Sequence, residues 1–185
     1  MNWLKAPMPS AGCCPGCLTC AKRLAPDKML EIKPLSNNHL EALLELEAAA
    51  ASGMRPAALT SALKAPAIRV LGAWQDAGKQ EARVLIGYAI VAIGPFDAEI
   101  EAIGVLPGWR RHGIAGLLMQ ALIDVATQAG SERLLLEVRE TNDPAIRLYQ
   151  AFGFTLDGRR KEYYPAVEGT AGRDDALLMS RGLRS

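Results

Sequence analysis

Apolar and polar positions change period along the chain, and the changes divide it into elements. From Met29 to Leu35 (MLEIKPL) the side chains alternate, Met29, Glu31 and Lys33 against Leu30 and Ile32, which predicts a strand with one face inward. Ser36 is placed to cap the helix that follows, where Leu40, Leu43 and Leu44 share a face and Glu41 and Glu45 lie opposite. The stretch AAAASG ends that pattern, and Pro56 to Lys64 predicts a second, short helix. Three strand-like segments come next, Ile68 to Trp74, Val84 to Ile93 and Glu99 to Val105. Their links, Gln75 to Arg83 and Gly94 to Ala98, are polar or turn-forming and favour an antiparallel meander. Ile114, Leu117, Leu118, Ala121, Leu122 and Val125 then recur at helical spacing, predicting a helix from Gly113 to Ala129 with Gly130 as its stop. Leu134 to Val138 is an apolar strand; Pro144, with Asp143 as cap, opens a helix through Phe152 that Gly153 ends. Phe154 to Tyr164 and Asp175 to Ser180 are the last two strands. The order βααβββαβαββ describes an α/β (α+β) fold, a mixed and mostly antiparallel sheet with helices on both faces.

Residues 1–28 carry Pro7, Pro9, Pro15 and Pro26 and no apolar periodicity, so they are expected to form an extension outside the core, with the ordered domain at 29–185. All four cysteines fall there, Cys13, Cys14, Cys17 and Cys20 in CCPGCLTC. The C-x3-C-x2-C and C-x2-C-x2-C spacings occur in iron–sulfur proteins. A metal site, a thiol-rich extension and a natural chain beginning at Met29 all stay open at this point. Half of the 185 residues are apolar and 22% are charged, the profile of a globular protein large enough to bury a core without staples. With 21 basic and 20 acidic side chains the net charge is only +1, which argues against a general nucleic-acid binder. No apolar run approaches the roughly 20 residues of a membrane span, and the N-terminus lacks a secretory pattern. A cytoplasmic protein without membrane contacts is expected, its oligomeric state open.

Candidate chemistry centres on Val105 to Gly116 (VLPGWRRHGIAG), where a strand passes through a Pro-Gly turn and two arginines into the start of a helix. The free N–H groups of a helix start carry partial positive charge, and Arg110 and Arg111 stand beside them, so an anionic phosphate is the natural occupant. The stretch lacks the Gly-Lys-Ser/Thr of a P-loop and the G-x-G-x-x-G of a dinucleotide fold. Read alone, it equally allows Gly113 and Ala115 merely to permit close packing beneath solvated arginines.

GVLPGWRRHGIAG, LLLEVRETNDPAIRLYQAFGF, YYP and DDALLM together resemble the GNAT superfamily of acetyl-CoA-dependent N-acetyltransferases, and within it the RimI-type enzymes that acetylate the N-terminal alanine of a ribosomal protein. The resemblance runs from about Met29 to Leu183 and is dense from Glu99 onward. It implies that Ile103, Gly104 and Val105 offer backbone contacts to the acetyl-pantetheine arm, and that Arg111, His112, Gly113, Ile114, Ala115 and Gly116 cradle the coenzyme A pyrophosphate. Arg110 stands where Gln is frequent in such families, and Asn142 contacts the cofactor arm. Glu137 is then the base, Tyr149 the acid that protonates the departing sulfur, and Tyr163 and Tyr164 part of the acceptor groove. Glu99 or Glu101 is a candidate to assist or replace Glu137. The acceptor is a protein or peptide N-terminus, a ribosomal protein among the candidates, and the chemistry needs no metal. A backbone N–H near Val105, exposed by a bulge, is expected to polarise the thioester carbonyl. The segment before Pro56 lacks the aromatic Phe-Pro-Trp of RimI-type enzymes, and AVEGTAGRDD is longer, so a lysine or small-amine acceptor, or a non-catalytic acyl-CoA-binding module, stands as the alternative.

Overall fold

The computed structural model describes residues 30–76, 83–165 and 173–183. The segment 1–28 with its four cysteines, and residues 166–172 of the loop after Pro165, lie outside the described residues. The elements are β1 (Leu30–Pro34), α1 (Leu40–Ala50), α2 (Pro56–Ala62), β2 (Ile68–Asp76), β3 (Arg83–Ile93), β4 (Asp97–Val105), α3 (Ile114–Gln128), β5 (Arg133–Arg139), α4 (Asp143–Ala151), β6 (Thr155–Tyr164) and β7 (Asp174–Gly182). Their order is the one the periodicity predicts. The strands form one sheet in the order β1-β2-β3-β4-β5-β7-β6, in which β4 and β5 are the parallel pair and the other neighbours run antiparallel. A parallel pair needs a crossover, and α3 supplies it.

Helices cover both faces. On one, Ile114, Leu118, Met119, Leu122, Ile123 and Ala126 of α3 recur every three or four residues and pack on Ile86, Ala89, Val91, Ile100, Leu134, Leu136 and Val138. On the other, Leu43, Leu46 and Ala50 of α1 and Leu59 and Ala62 of α2 pack on Val70, Leu85, Tyr88 and Ile90. Strand β3 lies between the two layers, buried without a break from Leu85 to Val91, which explains its continuous rather than alternating apolar pattern. Among the described residues no helix is long and apolar enough to cross a membrane.

Two local expectations are corrected. The α4 cap is Asn142, whose Oδ1 accepts the Ala145 N–H at 3.3 Å; Asp143 is the first helical residue, where its charge still favours the helix dipole. Ahead of α1, the His39 ring sits edge-on to Trp74 at 5.3 Å, and its Nδ1 accepts the Ser36 N–H at 3.0 Å. The bulge expected at Val105 lies at Glu101, because the register passes from Ile90↔Ala102 to Val91↔Ile100 while pairing with β3 continues unbroken through Gly104 and Val105. An extra residue leaves one strand edge unpaired and bends it, so the position of this bulge decides where the sheet opens.

Candidate active site

The opening lies between β4 and β5. These strands pair only from Asp97↔Arg133 to Ile100↔Leu136, stopping just before the bulge. Beyond it, Ala102 to Val105 pair with β3 alone, and Glu137 to Arg139 pair with β7 alone, leaving a notch between the two strands. The direction of its backbone groups follows from strand alternation. Leu106 N–H donates to Ile86 O on β3, so the N–H and C=O of Val105 and Ile103 point into the notch, while those of Gly104 point toward β3. On the opposite wall, Glu140 N–H donates to Asp175 O on β7, which turns the backbone of Glu137 into the notch.

Gly104 serves the site by what it lacks. A Cβ there would stand 2.5 Å from Cε1 of Tyr88, a fully buried ring whose hydroxyl donates to Glu47 Oε2 at 2.8 Å. Burial above all drives the Tyr88 phenol upward, its hydrogen bond with Ser52 opposes this, and Glu47 adds to it, so the ring is anchored as a neutral donor. Gly104→Ala is expected to lose about 1–3 kcal/mol of stability, read as a lower urea midpoint.

The loop after β4 leads from the edge of the notch into α3. Gly113, at φ +83, is the N-cap of α3 and makes no side-chain cap, and the first intrahelical bond is Leu117 N–H to Gly113 O. The amides of Ile114, Ala115 and Gly116 thus open the helix as an uncapped first turn, a ready anion site. The Ile114 side chain is core, so only its backbone is offered. Arg111 is held at φ +64 and exposed. Arg110 is used differently from expectation: its Nε donates to Val105 O at 3.2 Å and its Nη2 to Ala50 O at 2.7 Å, bracing the end of α1 against the end of β4. His112 folds back on the loop, Nδ1 2.9 Å from Arg110 O and its ring 6.0 Å from that of Trp109.

Glu137 and Tyr149 approach from opposite faces. Leu134, Leu136 and Val138 fill the α3 layer, so Glu137 projects to the α1–α2 face, its side chain 17% exposed and Oε1 2.7 Å from Arg160 Nη1. Tyr149, on α4, packs into the α3 layer with its ring 5.9 Å from that of Phe154. Burial first, and Tyr164 second, push its phenol up to about 12. Tyr164 links the two: burial raises its phenol, the charges of Glu137 and Tyr163 add, and Arg139 opposes. The Arg139 guanidinium lies 4.5 Å above the Tyr164 ring and is held by Asp174 at 2.9 Å. Tyr163 stands edge-on to Tyr164 at 5.1 Å and is exposed. Glu99 and Glu101 lie on the strand facing Glu137, both exposed; burial of its carboxyl raises Glu101 above the ordinary value, and the charge of Glu99 adds to this. Among the described residues no cluster of His, Cys, Asp and Glu is placed to hold a metal.

Sequence reasoning missed Arg160, whose partner is 23 positions away with no spacing to signal it. It also missed Glu47, for which a signal existed: Glu47 is four residues after Leu43 and three before Ala50, on the buried face of α1.

A model of the acetyltransferase (GNAT) family matches residues 39–154. The Escherichia coli [ribosomal protein bS18]-alanine N-acetyltransferase is 36% identical over 96 residues, covering 52% of this chain and 63% of the relative. The Mycobacterium tuberculosis N-alpha-acetyltransferase RimI is 37% identical over 130 residues, 68% of this chain and 73% of the relative. The chain spans less than two thirds of the length of the first curated relatives it matches. Among solved structures, the ribosomal-protein-S18-alanine N-acetyltransferase from Escherichia coli superposes with a TM-score of 0.73 at 28% identity, covering 85% of this chain and 96% of the other. Arabidopsis thaliana NAA60 in complex with acetyl-CoA shares the fold, with a TM-score of 0.72 at 20% identity over 83% of this chain and 98% of the other.

Proposed function

The chain belongs to the GNAT acetyltransferase family, and from that premise we propose that it transfers an acetyl group from acetyl-CoA to the α-amine of a protein N-terminus. The observation that carries the reading is the notch, into which the Glu137 backbone turns, with the Glu137 carboxylate on one face of the sheet and Tyr149 packed on the other. The residues present suit coenzyme A. An uncapped helix start with Arg111 beside it fits a pyrophosphate, and the backbone of Ile103 and Val105 fits the amide-bearing arm. Asn142 caps α4 through its oxygen, which leaves its side-chain NH2 to donate to the same arm. When bound, acetyl-CoA supplies an activated acetyl group on a thiol leaving group.

Every other step falls to this chain. An α-amino group has a pKa of roughly 7.7 to 8.0, so near neutral pH part of it is already a free amine. Glu137 holds the incoming free amine and takes one proton from its nitrogen, directly or through water, as that nitrogen bonds to the acetyl carbon. Arg160 keeps that carboxylate aimed, and the Val105 N–H donates to the acetyl oxygen as negative charge gathers there. Tyr149, its phenol pushed up to about 12, keeps its proton at the neutral and mildly alkaline pH where the amine becomes free, and donates it toward the departing sulfur. Glu101 stands as a second carboxylate on the same face. The N-terminal alanine of a ribosomal protein is one acceptor this reading admits, in the cytoplasm where such chains are made.

The test is incubation of the chain with acetyl-CoA and peptides bearing a free N-terminal Ala, Ser or Met, an internal Lys, or blocked ends. Mass spectrometry is expected to place the acetyl group on the free α-amine and none on blocked peptides. Label on lysine alone overturns the acceptor assignment. No label on any peptide, with acetyl-CoA still bound, favours an acyl-CoA-binding module.

A further inference from the structure

Glu47 is a carboxylate that the proposed reaction does not use, and its surroundings are built around it. It is 7% exposed, on the inner face of α1 in a layer of Leu43, Leu46, Leu59 and Tyr88. Four donors converge on it. Ser52 Oγ and Tyr88 OH each donate to Oε2 at 2.8 Å, and the N–H groups of Gly53 and Met54 donate to Oε1 at 2.9 Å. Burying a carboxylate is costly even when it is fully bonded, and an apolar residue would fill this space as well, so its presence calls for a task beyond core packing. Three of the four donors come from residues 52–54, the loop between α1 and α2, and the backbone turns left-handed at Ala51 and Gly53 to wrap the carboxylate. The fourth, Tyr88, lies across Gly104 of β4. Arg110 makes a second tie between the same places, from Ala50 O to Val105 O. The loop is thereby fastened to the strand that walls the notch, on the face toward which Glu137 projects.

We infer that Glu47 is a positioning residue for the acceptor, fixing residues 51–55 as one wall of the channel by which the amine reaches Glu137. The inference rests on the acetyl-transfer reading above. Glu47→Gln preserves volume, and its amide oxygen still accepts from Gly53 and Met54, but its NH2 faces two hydroxyls that must turn to accept. The loop loosens while the coenzyme A loop, which Glu47 does not touch, keeps its shape.

The test compares the full wild-type chain with Glu47→Gln and the milder Ser52→Ala. Hydrogen exchange at the Gly53 and Met54 amides is expected to quicken about tenfold in Glu47→Gln. The KM for an acceptor peptide is expected to rise about fivefold, with kcat and the calorimetric Kd for acetyl-CoA within about twofold. Ser52→Ala should move both readouts the same way by less. Unchanged exchange, an unchanged acceptor KM, or equal weakening of both substrates overturns the inference, the last by marking general damage to the fold. No transfer by the wild-type chain overturns the acetyl-transfer reading and this inference with it; transfer with an unmoved acceptor KM in Glu47→Gln overturns this inference alone.

Discussion

Glu137→Gln should lower kcat/KM for a peptide acceptor by about 10²- to 10⁴-fold, the range for loss of a general base, with acetyl-CoA affinity within about twofold. The size follows from place. Glu137 is on an interior strand at the point where shared pairing ends, its backbone turned into the notch and its carboxylate held by Arg160 at 2.7 Å. Glutamine keeps the shape and can still accept from Arg160, so the variant isolates the charge and the basic oxygen. Urea midpoints of the two proteins check that the fold survives. A rate within about threefold of wild type would remove Glu137 as base, and Glu101, raised by its own burial and by Glu99, would be the next carboxylate to test.

Tyr149→Phe should lower kcat about 10²-fold, at the lower end of the same range, with little effect on acetyl-CoA binding. Its magnitude is bounded by acidity. A phenol pushed up to about 12 is a weaker acid than a free thiol near 8.5, so full transfer to a separated thiolate runs uphill by roughly 5 kcal/mol. In the proposed acid role Tyr149 would therefore help most as a donor to sulfur while charge is still developing, and the transfer would complete as the amine gives up its own proton. The upward shift also fixes a sign. The phenol is protonated below pH 10 and loses its proton only as pH rises through about 12, so Tyr149 contributes no alkaline decline in rate between pH 7 and 10. Stopped-flow turnover across that range, for wild type and Tyr149→Phe, separates the two statements. An unaltered rate in the variant, where chemistry limits turnover, takes the acid role away.

Much of this was legible from the chain alone. The α3 helix declares itself through Leu118 and Leu122 at helical spacing, because burial on one face imposes a period on sequence, and β5 through the unbroken apolar run Leu134 to Leu136 beside Glu137. The uncapped start of α3 was readable as glycine before an apolar-periodic run. Pairings between distant elements left no such imprint. Arg160 meets Glu137 only because β7 lies between β5 and β6, and the sheet order is not written in any local period. Arg110 read as an anion ligand because its alternative partners are carbonyls, which every residue carries. The bulge was expected four residues too late since Glu101 looks like any polar strand residue until its register against Ile90 and Val91 is known.

Among the described residues the one parallel ladder is four residue pairs long, and it joins two antiparallel wings, β1-β2-β3-β4 and β5-β7-β6. Much of each wing is made from neighbours in sequence, so each can assemble early, whereas the join must wait for α3 to bring β5 across. The notch is then the unzipped remainder of a seam between two separately built halves. A molecule gripping β4 on one side and reaching Glu137 on the other acts as a rivet through that seam. At a concentration one hundred times its dissociation constant it would add about 2.7 kcal/mol to the folded state. Catalysis and cohesion would thus draw on the same gap in the hydrogen-bond ladder.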